Sequence, residues 1–397
     1  MWKGNLYKVL AIGDTANVLS ILKKNVKTSK IEQIQFRTKN FQETISYENQ
    51  YFFKSDKIFE QVEEINQIKR NYDLFMVTGW TTARLAYLAG LKFIWIYTGD
   101  DIKHPFFLKD KIHDYNFLER IFYKKVFKSV ARHVSLIEAV IPEDLKRFTD
   151  ATIVLGGIVD ISKFNPHVKP IKLKKQKFTF LSPQRISPLK GTDVIWKAIS
   201  LCKNNFEVLQ PEWYDDYNTE IERKSKELLK IKPPNVKLIP LIKYDDIAKY
   251  YAYADCILGQ LSAGWPGSVE REAAYCNRPV ITYTNPKYKV NINGKMVSPP
   301  FLPTSKDDPY ELSRIIDMMV SSKEFRERMQ RKGHEFVKNT SNPEIIANRC
   351  EKIFQELDEY PPYLESKLTL FLRRLFFVIS YYSNFKRIFQ KLINRKR

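Results

Sequence analysis

CILGQLSAGWPGSVEREAAYCNRPVIT, from Cys256 to Thr282, is the stretch that decides the fold. It starts as a short apolar run after Asp255 and passes through a turn rich in Gly, Trp and Pro. A helix-like segment, Ser268 to Cys276, follows, and then the apolar strand Pro279 to Thr282. Strand, glycine turn, helix, strand is one unit of a parallel α/β sheet. In such a sheet a ligand sits beyond the carboxyl ends of the strands, where helix N-termini present free N–H groups. Gly264 and Gly267 let backbone approach a ligand closely. Ser268 is a natural N-cap, with Glu270 in the first turn and Glu272 just beyond it.

The same grammar extends to both sides. In the second half, Phe178–Leu181, Phe206–Leu209 and Val236–Pro240 read as strands, and Thr192–Leu201 and Asp245–Tyr253 as helices. Helices at 308–320, 322–338 and 343–357 complete it. In the first half, Tyr7–Ile12 is a strand, Gly13 to Asn17 a small-residue turn and Val18–Asn25 a helix. Strands follow at 34–36, 73–77, 93–97, 133–137 and 151–155, with helices at 83–88 and from Ile141. A lysine-rich segment, Lys169 to Lys177, marks the change of domain. The expected organisation is an N-terminal Rossmann-like domain over 1–166, a second over 167–342, a closing helix over 343–360 and a tail over 361–397.

Three first-half strands end in loops carrying Gly with Asp or Thr: Gly13–Asn17, Gly79–Thr82 and Thr98–Asp101. One such loop only shapes a turn. Three on one sheet edge predict a cleft, with Gly13, Asn17, Gly79, Thr98 and Asp101 in it. The loop after Phe178–Leu181 could bind phosphate, although two basic residues in a chain with 66 decide nothing by themselves. There Arg185 and Lys190 lie five positions apart with Gly191 next. A diphosphate needs positive charge from more than one direction, together with backbone N–H groups.

Composition bounds the partner. The chain has 397 residues, enough for two domains, and a formal net charge of +21, from 66 basic and 45 acidic residues. An anionic partner follows: a phosphorylated substrate, a membrane surface or nucleic acid. No nucleic-acid-binding motif is present, and the basic residues are interleaved with large aliphatic ones, so nucleic acid is not expected. The four cysteines show no CxxC spacing, the five histidines no ligand spacing, and Asp100-Asp101 and Asp215-Asp216 are doublets only. Neither metal nor disulfide is expected.

These motifs resemble a known family. Gln184-Arg185-Ile186-Ser187-Pro188-Leu189-Lys190-Gly191 is similar to the G-R-x-x-x-x-K-G loop of the group 1 (family four) retaining glycosyltransferases. Glu272 to Ile281, EAAYCNRPVI, resembles their E-A-M-A-C-G-x-P-V-I. Gly156 to Asp160 with Phe164-Asn165-Pro166 is similar to their N-G-I-D…F-x-P crossing between domains, and Ala254-Asp255 to the A-D before the donor strand. The resemblance runs from residue 7 to about 357. It implies a GT-B fold: α/β, two Rossmann-like doubly wound domains facing a central cleft. It implies Arg185 and Lys190 as the catalytic cations on the donor diphosphate. Glu272 would meet the ribose hydroxyls, and Gly264, Gly267 and Ser268 would lie against the donor.

It implies no metal and no cofactor, the nucleotide sugar being the donor substrate. Two positions depart from the pattern. The first glutamate of the family's pair falls on Gly264, and Thr98 stands where the family's H-G-x-D-I has His, while Asp101 is retained. The chain thus looks like a branch that replaces the first glutamate with a Gly-rich turn. The expected activity is retaining, metal-independent transfer to a lipid-linked or cell-surface glycan acceptor. The alternative is a non-catalytic GT-B protein that binds a sugar nucleotide or glycan.

Two segments point to a membrane. Phe117 to Arg132 reads as a helix with basic residues between apolar ones, either an ordinary amphipathic helix or one lying on an anionic surface. After Pro361-Pro362 the tail, Tyr363 to Arg397, carries nine basic residues and one acidic among many large apolar ones. Its most apolar run, Leu368 to Tyr382, is interrupted by Arg373 and Arg374, so it is too broken to span. It reads as an interfacial anchor or as a helix packed back on the first domain. The N-terminus reads as a first strand rather than a signal peptide. The expected location is cytoplasmic, peripheral on the inner face of the cell membrane.

Overall fold

The computed structural model describes residues 7–36, 51–99, 101, 115–136, 152–215, 219–292, 294–357, 362–363 and 366–383. Of these, residues up to 156 and from 346 onward form one compact unit, and 157–345 form the other. The change of unit therefore falls ten residues before the expected 166/167. The described residues from 346 to 383, expected as a closing helix and the start of a tail, belong to the first unit.

The first unit is built on a seven-stranded sheet. Its strands are β1 (Tyr7–Ile12), β2 (Ser29–Gln35), β3 (Tyr51–Phe52), β4 (Leu74–Thr78), β5 (Phe93–Tyr97), β6 (Val130–Ser135) and β7 (Thr152–Val154). They lie in the order β3-β2-β1-β4-β5-β6-β7, and every pair is parallel. β4 and β5 are buried along their whole length, as their unbroken apolar runs require. Helices α1 (Val18–Asn25), α2 (Ile58–Ile68), α3 (Gly79–Leu88) and α4 (Phe117–Lys128) connect the strands. Trp95 and Tyr97 stack 4.7 Å apart in the core, and Trp80 meets Trp95 edge-on at 4.4 Å.

The second unit has a five-stranded sheet of β8 (Phe178–Leu181), β9 (Phe206–Pro211), β10 (Val236–Ile239), β11 (Cys256–Leu258) and β12 (Val280–Ile281). Their order is β10-β9-β8-β11-β12, again all parallel. The connecting helices are α5 (Thr192–Leu201), α6 (Thr219–Glu227), α7 (Ile247–Tyr253) and α8 (Ser268–Tyr275). A small antiparallel hairpin, β13 (Val290–Ile292) with β14 (Lys295–Val297), stands apart from the sheet. Helices α9 (Pro309–Ser321), α10 (Lys323–Thr340) and α11 (Pro343–Glu356) follow, and α12 (Lys367–Tyr382) is the last described element.

In both sheets the strand order reverses beside the first strand. The reversal lies between β1 and β4 in one unit and between β8 and β11 in the other. At such a reversal the loops that follow the flanking strands are where a doubly wound sheet places a ligand.

Several boundaries differ from the sequence reading. The helix expected over 117–132 ends at Lys128, because Val130 to Ser135 is drawn into the sheet beside β5. Arg132 is thus paired along a strand, opposite Ile94, and not part of a basic helical face. A capping box, Asn116 with Glu119, fixes the other end of α4. The strand expected at 34–36 begins at Ser29, and α3 starts at Gly79 rather than Ala83. The helix start expected at Ile141 lies outside the described residues. So do Asp100 and the end of the strand expected at 133–137.

Three cysteines, Cys256, Cys276 and Cys350, are buried, and Cys202 is half-buried; all four are free. Burial pushes the Cys276 thiol up to about 12.

Candidate functional site

In the second unit the loops after β8 and β11 are joined to each other. Gln184 Nε2 donates to the Gly259 carbonyl at 2.8 Å, and the Gln184 carbonyl accepts from Gln210 Nε2 at 2.7 Å. Both glutamines are buried, so each bond is shielded from water. Further along, the Leu261 N–H donates to the Lys190 carbonyl at 3.1 Å, and the Ser262 hydroxyl donates to the Leu189 carbonyl. Ser187 Oγ accepts from the Leu189 N–H, and its own N–H donates to Thr192 Oγ1, where α5 begins. The cation-bearing loop is therefore fixed at both ends.

The two cations already have partners. Arg185 is paired with Asp215 at 3.3 Å, and its guanidinium lies 5.3 Å from the centre of the Trp213 ring. Asp215 is buried, whereas about a third of the Arg185 side chain is open, 34%. Lys190 Nζ donates to Gln260 Oε1 at 3.1 Å. Asp215 and Trp213 follow β9, so a third strand end contributes to holding Arg185. That contribution was not legible in the motif. Its signal is the polar doublet at 215–216 after an apolar run.

Glu270 organises the turn after β11. It is 2% exposed, and its two carboxylate oxygens accept from the Gln260 N–H at 2.9 Å and the Gly267 N–H at 2.8 Å. Gly267, not Ser268, is therefore the N-cap of α8; Ser268 is the exposed first helical residue. The Gly267 amide is occupied by this carboxylate. A glutamate at the third helical position is the recognisable half of a capping box.

Gly264 has φ +80, and a Cβ there would lie 3.2 Å from Asn285 Cβ and from Tyr283 Cε1. Its carbonyl accepts from the Asn285 N–H at 2.8 Å. Beneath the turn, buried Arg271 donates from Nε to the Pro266 carbonyl at 3.1 Å and from Nη1 to Ser341 Oγ at 2.7 Å. This brace was also missed, because a single arginine inside a helix carries no pattern.

Glu272 lies two residues beyond Glu270 on α8. Its Oε2 accepts from the Tyr251 hydroxyl at 3.2 Å. It keeps a partly open surface, yet burial pushes its carboxyl up to about 8, against the opposing pull of the Tyr251 hydroxyl. At neutral pH it is largely protonated.

In the first unit the first two of the three predicted loops meet. Gly13 lies against the Thr82 methyl with no room for a side chain. The Thr15 N–H donates to Thr78 Oγ1 at 3.0 Å. Asp14, buried, accepts from the Leu19 and Ser20 N–H groups, each at 2.9 Å, and from Gln33 Nε2 at 3.2 Å. Asn17 caps α1 in the left-handed conformation, φ 58, which Asn tolerates better than most residues. Asp101 Oδ1 accepts from Thr98 N–H at 2.9 Å and Gly99 N–H at 2.8 Å. Its Oδ2 is buried without a partner among the described residues. Burial pushes both carboxyls, Asp14 and Asp101, up to about 6. Gly13 and Gly79 thus lie on the two loops that meet at the β1/β4 reversal, Asn17 starts α1 from the first of them, and Thr98 and Asp101 follow the neighbouring strand β5.

Among the described residues no group of three His, Cys, Asp or Glu side chains stands close enough to hold a metal ion.

Residues 164–336 match the family model of the glycosyl transferases group 1. The match lies within the second unit and covers less than half of the chain. No curated protein matches the chain in sequence. Solved structures match its fold. Sucrose-phosphate synthase from Thermosynechococcus elongatus superposes with a TM-score of 0.65 at 14% identity, over 88% of this chain and 99% of that one. A glycosyltransferase from Rickettsia africae gives 0.64 at 16%, over 90% and 100%. HepE from Anabaena, crystallised with UDP and glucose, gives 0.64 at 15%, over 88% and 100%. The two units are the two Rossmann-like domains of the GT-B fold.

Proposed function

We propose that this protein is a group 1 glycosyltransferase that moves a hexose from a nucleotide-diphosphate sugar to a lipid-linked or cell-surface glycan acceptor. It does so with retention, without a metal or cofactor, at the anionic inner face of the cell membrane. The observation that carries the donor side is the pair of loops at the β8/β11 reversal. They hold one guanidinium and one ammonium on a hydrogen-bonded frame. Departure of a nucleoside diphosphate builds negative charge on phosphate oxygens, and fixed cations stabilise it most where water is excluded. Arg185 and Lys190 supply those charges. Lys190 exchanges its neutral Gln260 partner for phosphate, a stronger charge-assisted bond. Arg185 keeps Asp215 behind it, which aims the guanidinium fork. Glu272 accepts from the ribose hydroxyls. Gly264, Gly267 and Ser268 contribute backbone close to the donor, with Ser268 giving a free surface at the start of α8. The first-unit loops with Gly13, Asn17, Gly79, Thr98 and Asp101 receive the acceptor. Similarity in fold to HepE, crystallised with UDP and glucose, supports a nucleotide-sugar donor.

A second reading, a binder without turnover, is favoured by Gly264, which leaves the donor turn without the carboxylate that the family pattern places there. One experiment separates the two. The full-length protein is screened by thermal shift against UDP-, GDP- and ADP-sugars, and then assayed for transfer to membrane-extracted acceptors. A ligand at about 100-fold its dissociation constant adds about 2.7 kcal/mol. Stabilisation by one nucleotide, lost in Arg185→Ala and Lys190→Ala, with transfer that Lys190→Ala abolishes, is the expected result. Stabilisation without transfer establishes the binder. No stabilisation by any nucleotide sugar overturns the donor site.

A further inference from the structure

Helix α12 is docked on the first unit by one face only. Phe377 is buried in the core of that unit, with Phe122 5.3 Å away. Arg373 donates to the Tyr87 carbonyl at 3.0 Å, and its guanidinium lies 4.2 Å from the centre of the Tyr87 ring. Arg374 is paired with Glu63 at 2.6 Å. At the far end Asn116 Nδ2 donates to Ser383 Oγ at 2.8 Å. The two arginines that interrupt the apolar run in sequence are therefore turned toward the protein. They clamp the helix and leave its other face uninterrupted.

That other face carries Leu368, Phe371, Leu372, Leu375, Ile379 and Tyr382, each between 43% and 68% exposed. Their spacing of three and four residues makes a single stripe. The helix spans roughly 24 Å at 1.5 Å per residue. It contains no Asp or Glu. Six large apolar side chains in one row on a surface mark a place where something else packs.

Charge identifies the occupant. The chain continues from the helix into residues 384–397, which hold six basic residues and no acidic one. On α4, which packs beside α12, Lys125 and Lys128 are exposed, and Phe117 is 69% exposed at the end where Asn116 meets Ser383. A second copy of the chain pairing in parallel along the stripe would bring two such basic segments together. An anionic bilayer neutralises them. We propose that α12 is the membrane-inserting element of this protein. Its outer stripe enters the acyl boundary of an anionic leaflet, and the basic residues that follow bind the headgroups. The proposal deepens the membrane reading of the function and rests on it. It assigns the contact to α12, since the apolar side of α4 is used inside the protein.

The test uses the full chain. Wild type and Leu372→Glu/Leu375→Glu are sedimented with vesicles of phosphatidylcholine alone or of phosphatidylcholine and phosphatidylglycerol in equal parts. Both substituted positions face outward, so equal melting temperatures are expected and verify the fold. A milder Leu372→Ser variant serves if the double variant melts early. Wild type is expected to bind the anionic vesicles and not the neutral ones, with binding falling about 30-fold or more in the double variant. Failure of wild type to bind anionic vesicles, or equal binding by the variants, overturns the proposal. So does a wild type that light scattering shows to be dimeric when the variant is monomeric, which gives the stripe to a second copy. Stripe-dependent vesicle binding without any nucleotide-sugar stabilisation would sustain the docking surface while removing the donor site, so the two readings fail separately.

Discussion

The two strand reversals of this protein have the same topology and opposite electrostatics. In the first unit the loops are closed by carboxylates: Asp14 and Asp101 accept from backbone amides at the starts of helices and turns. In the second unit a carboxylate also closes the turn, Glu270, but Arg185 and Lys190 are added on top of it. A doubly wound sheet supplies a crevice with helix N-termini around it and leaves the sign of the charge to side chains. The same architecture thus carries two cations beside its reversal in the second unit and two buried carboxylates among the loops of the first.

The sharpest test of the cationic side is the pH dependence of donor binding. Glu272 has its carboxyl pushed up to about 8, and the proposed ribose contact needs the ionised form to accept two hydroxyl protons. Donor binding then expels a proton. A sugar-nucleotide diphosphate does not change charge in this range, so the carboxyl dominates. Affinity is expected to rise with pH between 6 and 8 by up to about tenfold per unit, roughly 100-fold in all, and to level off above. Glu272→Gln should flatten the curve. Calorimetric titration in two buffers of different ionisation enthalpy counts the proton directly. A wild-type curve as flat as the variant's would remove Glu272 from the donor site.

Much of this contrast is legible in the sequence, for identifiable reasons. β1, β5, β8 and β11 are apolar runs that end in glycine or in a polar loop, so both strand ends and candidate loops can be found from composition alone. The placement of Gly13, Gly79 and Asp101 at one sheet edge follows once those strands are placed in one parallel sheet. What escapes is contact made by one side chain folding back. Glu270 bonds an amide ten residues upstream, and Asp215 reaches Arg185 from a different strand end. The inward turn of Arg373 and Arg374 depends on which face of α12 meets the core, which a run of residues does not state. β3, two residues long, and the three-residue strands β13 and β14 are too short to set a period.

The first-unit carboxylates give the next contrast, in stability. Asp101 has its carboxyl raised from the usual 3.8 to about 6 by burial, so the fold favours its protonated form. The stabilisation that follows is complete below about pH 4 and is lost as pH rises through about 6. Asp101→Asn keeps the Oδ1 that accepts from Thr98 and Gly99, replaces the unpartnered Oδ2 and cannot ionise. Between pH 4.5 and 7.5 wild type should therefore lose about 2 kcal/mol relative to the variant, at 1.36 kcal/mol per unit of displacement. Urea denaturation at the two pH values measures it. Parallel behaviour of the two proteins would show that the carboxylate is solvated.

The smallest effect concerns the position where the second unit departs from the group 1 glycosyltransferase pattern it resembles. The glutamate expected at 264 is a glycine with φ +80, and its carbonyl is bonded to the Asn285 N–H. Any side chain there must adopt a left-handed backbone, at about 1–2 kcal/mol. It must also crowd Asn285 and Tyr283, both 3.2 Å from the added carbon. Gly264→Ala is expected to lower stability by about 1–2 kcal/mol while leaving Arg185 and Lys190 in place, so donor stabilisation in a thermal shift should persist. Gly264→Glu should be at least as destabilised and should gain no transfer activity, because the carboxylate would arrive on a displaced turn. If Gly264→Glu is as stable as wild type and transfers faster, the turn is merely missing a residue. If it is destabilised and no faster, the left-handed turn is itself the local design. Glu270, holding Gln260 and Gly267 from below, is then the carboxylate around which this branch built its donor loop.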